Sequence, residues 1–258
     1  MNEEKMSLAE IAKLRETAQT ERATRKKNQK EICFVFDKKG LSSGRQMAIL
    51  RRGRSIEIIS LMNAYVHANI ANYTLSDEAQ MYLYDKQGLS PFWENVYKRL
   101  ITDFPLCEKL QRQLVKDRKY RCEQRLSPDV EIFLLSCALQ EKDCDRINAY
   151  SYFNVVERYL TRYILSEKAE IYFLQEFLNI KGDRDSYMDL CENLVHTYLK
   201  REHQLSLKAE KILLAHGNHL QIMTYIQNAP NGLKSEEELL ARSNRKEITA
   251  YFERYVEL

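Results

Sequence analysis

"LSLKAEKILLAHGNHLQIMTYI" (Leu205–Ile226) and "LSSGRQMAILRRGRSIEIISLM" (Leu41–Met62) carry one skeleton: Leu-Ser, then Gly twelve residues on, then Ile five beyond the Gly. The skeleton reads as a helical hairpin. A serine at the N-cap accepts a hydrogen bond from an unpaired backbone N–H of the first turn. Gly53 or Gly217 after the first helix is expected to supply a left-handed C′ residue. Asn218 then caps the second helix. One hairpin leaves its apolar stripe uncovered, so neighbouring hairpins must stack.

Leu-Ser starts recur at Leu75-Ser76, Leu89-Ser90, Leu126-Ser127 and Leu165-Ser166. Asp77, Glu78, Asp129 and Glu167 fall in first turns, where the helix dipole favours negative charge. Pro91 and Pro128 fall at N1, where a missing N–H costs nothing. The cap serines 42, 76, 127, 166 and 206 are spaced by 34, 51, 39 and 40 residues, the span of a helix–turn–helix repeat. The longest interval contains the Ser90 start and should hold three or four helices. LLAHGNHLQIMTYI (213–226) aligns with LLARSNRKEITAYF (239–252), so Ser243-Asn244 stands where the first has Gly217-Asn218.

Helical periodicity predicts the inner stripes. They are Ala79, Tyr82 and Leu83; Ala169, Tyr172, Phe173, Phe177 and Leu178; Ile56, Ile59, Met62, Val66 and Ile70; and Tyr187, Leu190, Leu194, Val195 and Tyr198. The expected fold is all-α: an α-solenoid of stacked helical hairpins, roughly six units, over residues 41–258. Residues 1–40 are expected to form a basic N-terminal helical extension. Within it, Ser7 and Glu10 make a capping box ahead of Ile11, Leu14 and Ala18. EICFVF (31–36) fits either a strand or a buried helical turn.

The pattern Leu-Ser-x-x-Ala-Glu, Gly-Asn, Ile-x-x-Tyr-Ile resembles a family of bacterial repeat proteins, chiefly of the Bacteroides group. The fit is fullest at Ala209, Glu210, Gly217, Asn218, Ile222, Tyr225 and Ile226. It is partial at Leu41–Met62, Leu75–Leu83, Leu165–Leu174 and Leu239–Phe252. The resemblance implies short α-helical solenoid units and brings no activity with it.

Composition agrees with helix. The 258 residues include 7 Gly and 4 Pro, and 30% are charged. Mean hydropathy is −0.53, and no apolar run reaches the roughly 18–20 residues of a membrane helix. The acidic start MNEEKMSLAE is unlike a secretory signal. A soluble, cytoplasmic protein without membrane contact is expected. Six scattered cysteines without a C-x-x-C pair read as free thiols. Cys137 and Cys144 would share a face of an unbroken helix.

No known catalytic fingerprint is present. GLSSGR (40–45) lacks the P-loop lysine, and there is no G-x-S-x-G, H-E-x-x-H, calcium-loop or dinucleotide motif. The chain is therefore expected to be non-enzymatic, without cofactor or metal. His216 and His219 read as a polar turn. Cys191, His196 and His203 lack metal-site spacing. Asp183 and Asp185 read as an acidic helix start. The aromatic run Tyr150, Tyr152, Phe153, Tyr159 and Tyr163 reads as packing between repeats, and Trp93 as core.

The net charge of +3 hides a basic stretch. Residues 22–54 carry eleven Lys or Arg against Glu31 and Asp37. A weaker run, 109–125, carries seven against Asp117 and Glu123. Basic clusters attract phosphates or acidic partners. The candidate contacts are Lys26, Lys27, Lys30, Lys38, Lys39, Arg45, Arg51, Arg52 and Arg54, the last three also complementing a helix C-terminal dipole. Two functions are expected in order: a scaffold holding a protein or peptide on a solenoid surface, and, as the alternative, a nucleic-acid-associated protein using residues 22–54.

Overall fold

The computed structural model describes residues 41–52, 55–67, 75–141, 151–180 and 185–255. Among the described residues there are thirteen helices and no strand. They are α1 (Ser43–Arg52), α2 (Ser55–His67), α3 (Asp77–Lys86), α4 (Pro91–Asp103), α5 (Glu108–Lys116), α6 (Pro128–Leu139) and α7 (Tyr152–Arg162). There follow α8 (Glu167–Leu178), α9 (Asp185–Leu199), α10 (Leu207–His216), α11 (His219–Asn228), α12 (Glu236–Ala241) and α13 (Arg245–Tyr255). The expected capping box of Ser7 and Glu10 and the apolar run 31–36 lie outside the described residues.

The chain divides into two compact units, one ending at Cys107 and one beginning at Glu108. In the first unit α1 packs on α2 and α3 on α4; α1 also packs on α3, and α2 on α4. In the second unit α6, α8, α10 and α12 pack on one another in that order, and so do α7, α9, α11 and α13. Each first helix also packs on the second helix that follows it, and α5 packs on α6. Within each hairpin the two helices adjacent in sequence are thus neighbours in space, as short loops require.

The N-cap serine sets a fixed register. The side chains three, four, seven and eight residues after it face inward, one stripe of a 3.6-residue helix. For α8 these are Ala169, Glu170, Phe173 and Leu174; for α10, Ala209, Glu210, Leu213 and Leu214; for α6, Val130, Glu131, Leu134 and Leu135. In α3 they are Ala79, Gln80, Leu83 and Tyr84. The helix α5 obeys the same count from Cys107: Leu110, Gln111, Leu114 and Val115. Leu106-Cys107 is therefore a Leu-Ser start with sulfur in place of oxygen, which the sequence reading missed.

The fourth position is polar for a reason that lies in the next repeat. Gln46 Oε1 accepts the Ser76 N–H at 2.8 Å, and Gln80 Oε1 accepts the Cys107 N–H at 2.8 Å. Gln111 Oε1 accepts the Ser127 N–H at 2.8 Å. Glu131 Oε2 accepts Ser166 N–H at 2.9 Å, Glu170 Oε2 accepts Ser206 N–H at 2.8 Å, and Glu210 Oε1 accepts Ser235 N–H at 2.6 Å. Each of these side chains thus satisfies a backbone donor at a later cap, part-buried except for the buried Ser235 N–H; a buried donor left unpaired costs about 1–3 kcal/mol.

Several local expectations are corrected. Gly217 is not left-handed: its φ of −64° and ψ of 146° suit any residue. Space excludes a side chain there, since a Cβ would stand 2.6 Å from the Leu213 carbonyl oxygen. The left-handed turn residue is Ser243, with φ 55°. Gly53 lies outside the described residues.

The inner face of α2 is carried by Ile58, Leu61 and Met62, whereas Ile56 and Ile59 are 58% and 41% exposed. Apolar residues at 56, 58, 59, 61 and 62 fit two helical phases: of the expected stripe Met62 is buried and Ile56 and Ile59 are not, while the Val66 side chain and Ile70 lie outside what is described. In α3 the buried aromatic is Tyr84, not Tyr82; Tyr82 and Trp93 stack edge-on in a half-buried pair, so Trp93 is not core. In α8 Leu174 is buried, and Tyr172 and Leu178 are half-buried. Ser127 has cap geometry, but its hydroxyl takes no bond, unlike Ser76, Ser90, Ser166 and Ser206. The helix α6 ends at Leu139, so Cys137 has no helix to share with Cys144, which lies outside the described residues.

Candidate functional site

Of the candidate basic contacts, Arg45, Arg51 and Arg52 are described, all three exposed on α1. Arg45 and Arg52 are seven residues apart, two turns, and so share a side of the helix. Arg51 and Arg52 sit in its last turn, where they complement the dipole. Buried Gln46 and Leu50 hold the opposite side. Lys26, Lys27, Lys30, Lys38, Lys39 and Arg54 lie outside the described residues. Three of the seven bases in the second basic run are committed within their own unit. Arg112 pairs with Glu108 at 2.9 Å and lies over the Phe133 ring. Arg118 pairs with Glu141 at 3.4 Å and covers Tyr152. Arg125 donates to the Ile164 carbonyl and stands 3.7 Å from Glu131.

Three of the histidines meet polar neighbours. His219 Nδ1 lies 3.0 Å from Glu247 Oε1, and Arg242 Nε donates to Glu247 Oε2 at 3.0 Å. Arg242 also donates to the Leu214 carbonyl at 2.5 Å and to the Gly217 carbonyl at 3.2 Å, capping the end of α10. His196 Nδ1 lies 3.2 Å from the Thr224 hydroxyl; burial, then Lys200, lowers its pKa. His203 is buried against the Tyr198 ring, with Nε2 3.6 Å from Glu170 Oε1. The helix α9 begins at Asp185; Asp183 and Tyr150 lie outside the described residues. Among the described residues no group of three or more His, Cys, Asp or Glu side chains is placed to hold a metal, and no helix is long and apolar enough to cross a membrane. A shallow cleft is lined by Phe177, Met188, Cys191, Glu192, His216 and Gln221.

The second unit has one face with a repeated surface composition. The fifth and sixth residues after each cap serine flank the inner stripe. They are Ile132 and Phe133 on α6, Ile171 and Tyr172 on α8, and Lys211 and Ile212 on α10, all half-exposed. Burial, then Glu176 and Cys137, raises the Tyr172 pKa. Lys168–Asp129 at 2.5 Å ties α8 to α6, and Lys211–Glu238 at 3.3 Å ties α10 to α12.

Behind this face lies a polar relay that composition did not reveal. The Tyr159 hydroxyl donates to Glu131 Oε1 at 2.7 Å and accepts the Leu126 N–H at 3.1 Å. The Tyr225 hydroxyl donates to Glu210 Oε2 at 2.8 Å and accepts the Leu205 N–H at 3.3 Å. The Tyr198 hydroxyl donates to Glu170 Oε1 at 2.8 Å. Burial, then the adjoining carboxylate, raises the pKa of Tyr159, Tyr198 and Tyr225. The signal was present at Glu210 and Tyr225 of the opening stretch, where two polar residues sit on an otherwise apolar stripe. Comparison with protein-family models, curated proteins and solved structures finds no match to this chain.

Proposed function

We propose that the chain is a non-enzymatic interaction module: an α-solenoid of roughly six stacked hairpins holding a protein or peptide partner along its first helices. The supporting observation is the repeated half-exposed pair on successive helices, Ile132/Phe133, Ile171/Tyr172 and Ile212. Side chains that recur at the repeat spacing suit an extended partner, and aromatic anchors carry most of the affinity at such surfaces. The test is capture of partners from the native host by the parent and by a Phe133→Ala, Tyr172→Ala, Ile212→Ala variant of unchanged helicity. A partner held by the parent and released by the variant supports the reading; equal capture removes it.

The second reading is a nucleic-acid-associated protein using residues 22–54. It is favoured by the exposure of Arg45, Arg51 and Arg52 on one short helix. Reversing those three charges should lower the slope of log affinity against log salt by about 0.9 for each phosphate no longer neutralised. An unchanged slope excludes it.

A further inference from the structure

One loop of the second unit is held more firmly than a connection needs. In KYRCEQRL (119–126), between α5 and α6, Tyr120, Cys122 and Leu126 are buried and Arg121 and Arg125 are exposed. The Tyr120 hydroxyl donates to the Gln124 carbonyl and closes the loop on itself. Cys122 Sγ lies 3.8 Å from the Val155 carbonyl oxygen, and the Tyr163 hydroxyl donates to the Cys122 carbonyl at 3.2 Å. Arg125 donates one of its N–H groups to the Ile164 carbonyl at 2.9 Å. The loop is thus laid along α7 from its first turn to just beyond its last. Two non-glycine residues adopt the left-handed region to achieve this, Arg118 with φ 55° and Cys122 with φ 61°. That conformation is costly for a residue with a Cβ and persists only where its surroundings enforce it; such strain gathers at functional sites.

The loop brings together arginines that are distant in sequence. Arg158 and Arg162 of α7 are exposed, and with Val155 they occupy positions i, i+3 and i+7, one side of the helix. The nearby acids are Glu123, whose Oε2 accepts the Arg121 N–H at 3.1 Å, buried Glu131, 3.7 Å from Arg125, and exposed Glu157 of α7. Two guanidiniums are stacked on tyrosines at opposite ends of α7: Arg118 lies 4.8 Å from the Tyr152 ring centroid and Arg162 5.6 Å from that of Tyr163. The two tyrosines are eleven residues apart, about 16 Å along the helix. We propose that the loop and α7 form a binding surface for single-stranded nucleic acid, in which Arg121, Arg125 and Arg158 meet phosphates and the stacked guanidiniums of Arg118 and Arg162 carry bases. The planar guanidinium fork matches phosphate oxygens, and its flat face stacks with an unpaired base. An acidic peptide is drawn by the same charge but gains nothing from the stacked planes, and a duplex keeps its bases from them. A loop fixed in advance also loses little freedom on binding. Every residue named here belongs to the second unit, so the surface is separate from residues 22–54 and rests on neither reading above.

The experiment is fluorescence anisotropy of a labelled oligouridylate strand with the full chain, from about 50 mM to about 200 mM KCl. Binding should weaken steeply with salt. Arg121→Ala combined with Arg158→Ala should lower the slope of log affinity against log salt by about 1.4, two phosphate contacts at about 0.7 each for a single strand. If the alanine pair loses helicity, Arg121→Gln with Arg158→Gln reads the same slope. Arg162→Lys should keep the slope and lose at least about fivefold in affinity, the low end for one stacked base, because the charge stays and the flat face goes. A variant with Arg45, Arg51 and Arg52 all changed to alanine should bind as the parent does. No binding at the lowest salt, an unchanged slope in the paired variants, or full affinity in Arg162→Lys overturns the proposal. So does equal displacement of the strand by a polyglutamate peptide or a duplex, and so does loss of binding in the Arg45, Arg51, Arg52 variant alone, which assigns the strand to the first basic stretch.

Discussion

The Tyr159 hydroxyl stands between two repeat elements, donating to Glu131 at 2.7 Å while receiving the Leu126 N–H at 3.1 Å. Tyr159 is 1% exposed, so water cannot replace the hydroxyl. Tyr159→Phe keeps the ring and leaves one buried donor and one buried acceptor short of a partner. The expected loss is about 1–3 kcal/mol, read from the urea midpoint. A double-mutant cycle with Glu131→Gln should show strong coupling; additive losses would mean that hydroxyl and carboxylate do not share one network.

Gly217 and Ser243 occupy aligned turns and should respond to substitution with opposite signs. Gly217→Ala forces a Cβ to 2.6 Å from the Leu213 carbonyl oxygen and 2.9 Å from Leu213 Cδ1. The expected cost is about 1–3 kcal/mol. Ser243→Gly relieves a left-handed residue at φ 55° and should gain up to about 1 kcal/mol. Thermal melts of both single variants check the pair; a neutral Gly217→Ala would show that the close approach is not real.

Arg242 faces a carboxylate with no other route to solvent. The Glu247 side chain is 0% exposed and the Arg242 side chain 24%. Arg242→Ala strands part of that charge and uncaps the Leu214 carbonyl. With the partial exposure of the guanidinium allowed for, the expected loss is about 2–3 kcal/mol. The companion Glu247→Gln should cost less, because it removes the buried charge and the carboxamide oxygen still accepts from Arg242; the reverse ranking would contradict this.

Cys122 is buried beside the Val155 carbonyl, and its thiol pKa is pushed up to about 11. Burial is the largest cause; Arg158 and Arg162 pull the other way, and Glu123 adds to the rise. Alkylation of the native chain at pH 8, mapped peptide by peptide, should leave Cys122 unmodified, and its rate should climb with pH towards about 11. The raised value also contributes stability that is whole below the ordinary thiol pKa and lost as pH rises through the folded one. Rapid labelling of Cys122 at pH 7 under native conditions would refute the burial.

Sequence alone determined where the serine-started helices begin and that the described chain is helical. Those facts are local: a serine hydroxyl meets an N–H three residues away, as at Ser76, Ser166 and Ser206, and proline at N1 follows its own φ. The phase of α2, the turn conformation at Gly217 and the hidden start at Cys107 were not legible, because each depends on atoms distant in the chain. Ile58 faces inward and Ile59 outward according to which neighbours cover them. Gly217 is required by the position of Leu213 rather than by its own φ. Above all, only the tertiary structure could explain a glutamate or glutamine on an apolar stripe. Its partner is a backbone N–H from 16 to 36 positions further along, and no periodicity within one helix encodes a donor that arrives with the next.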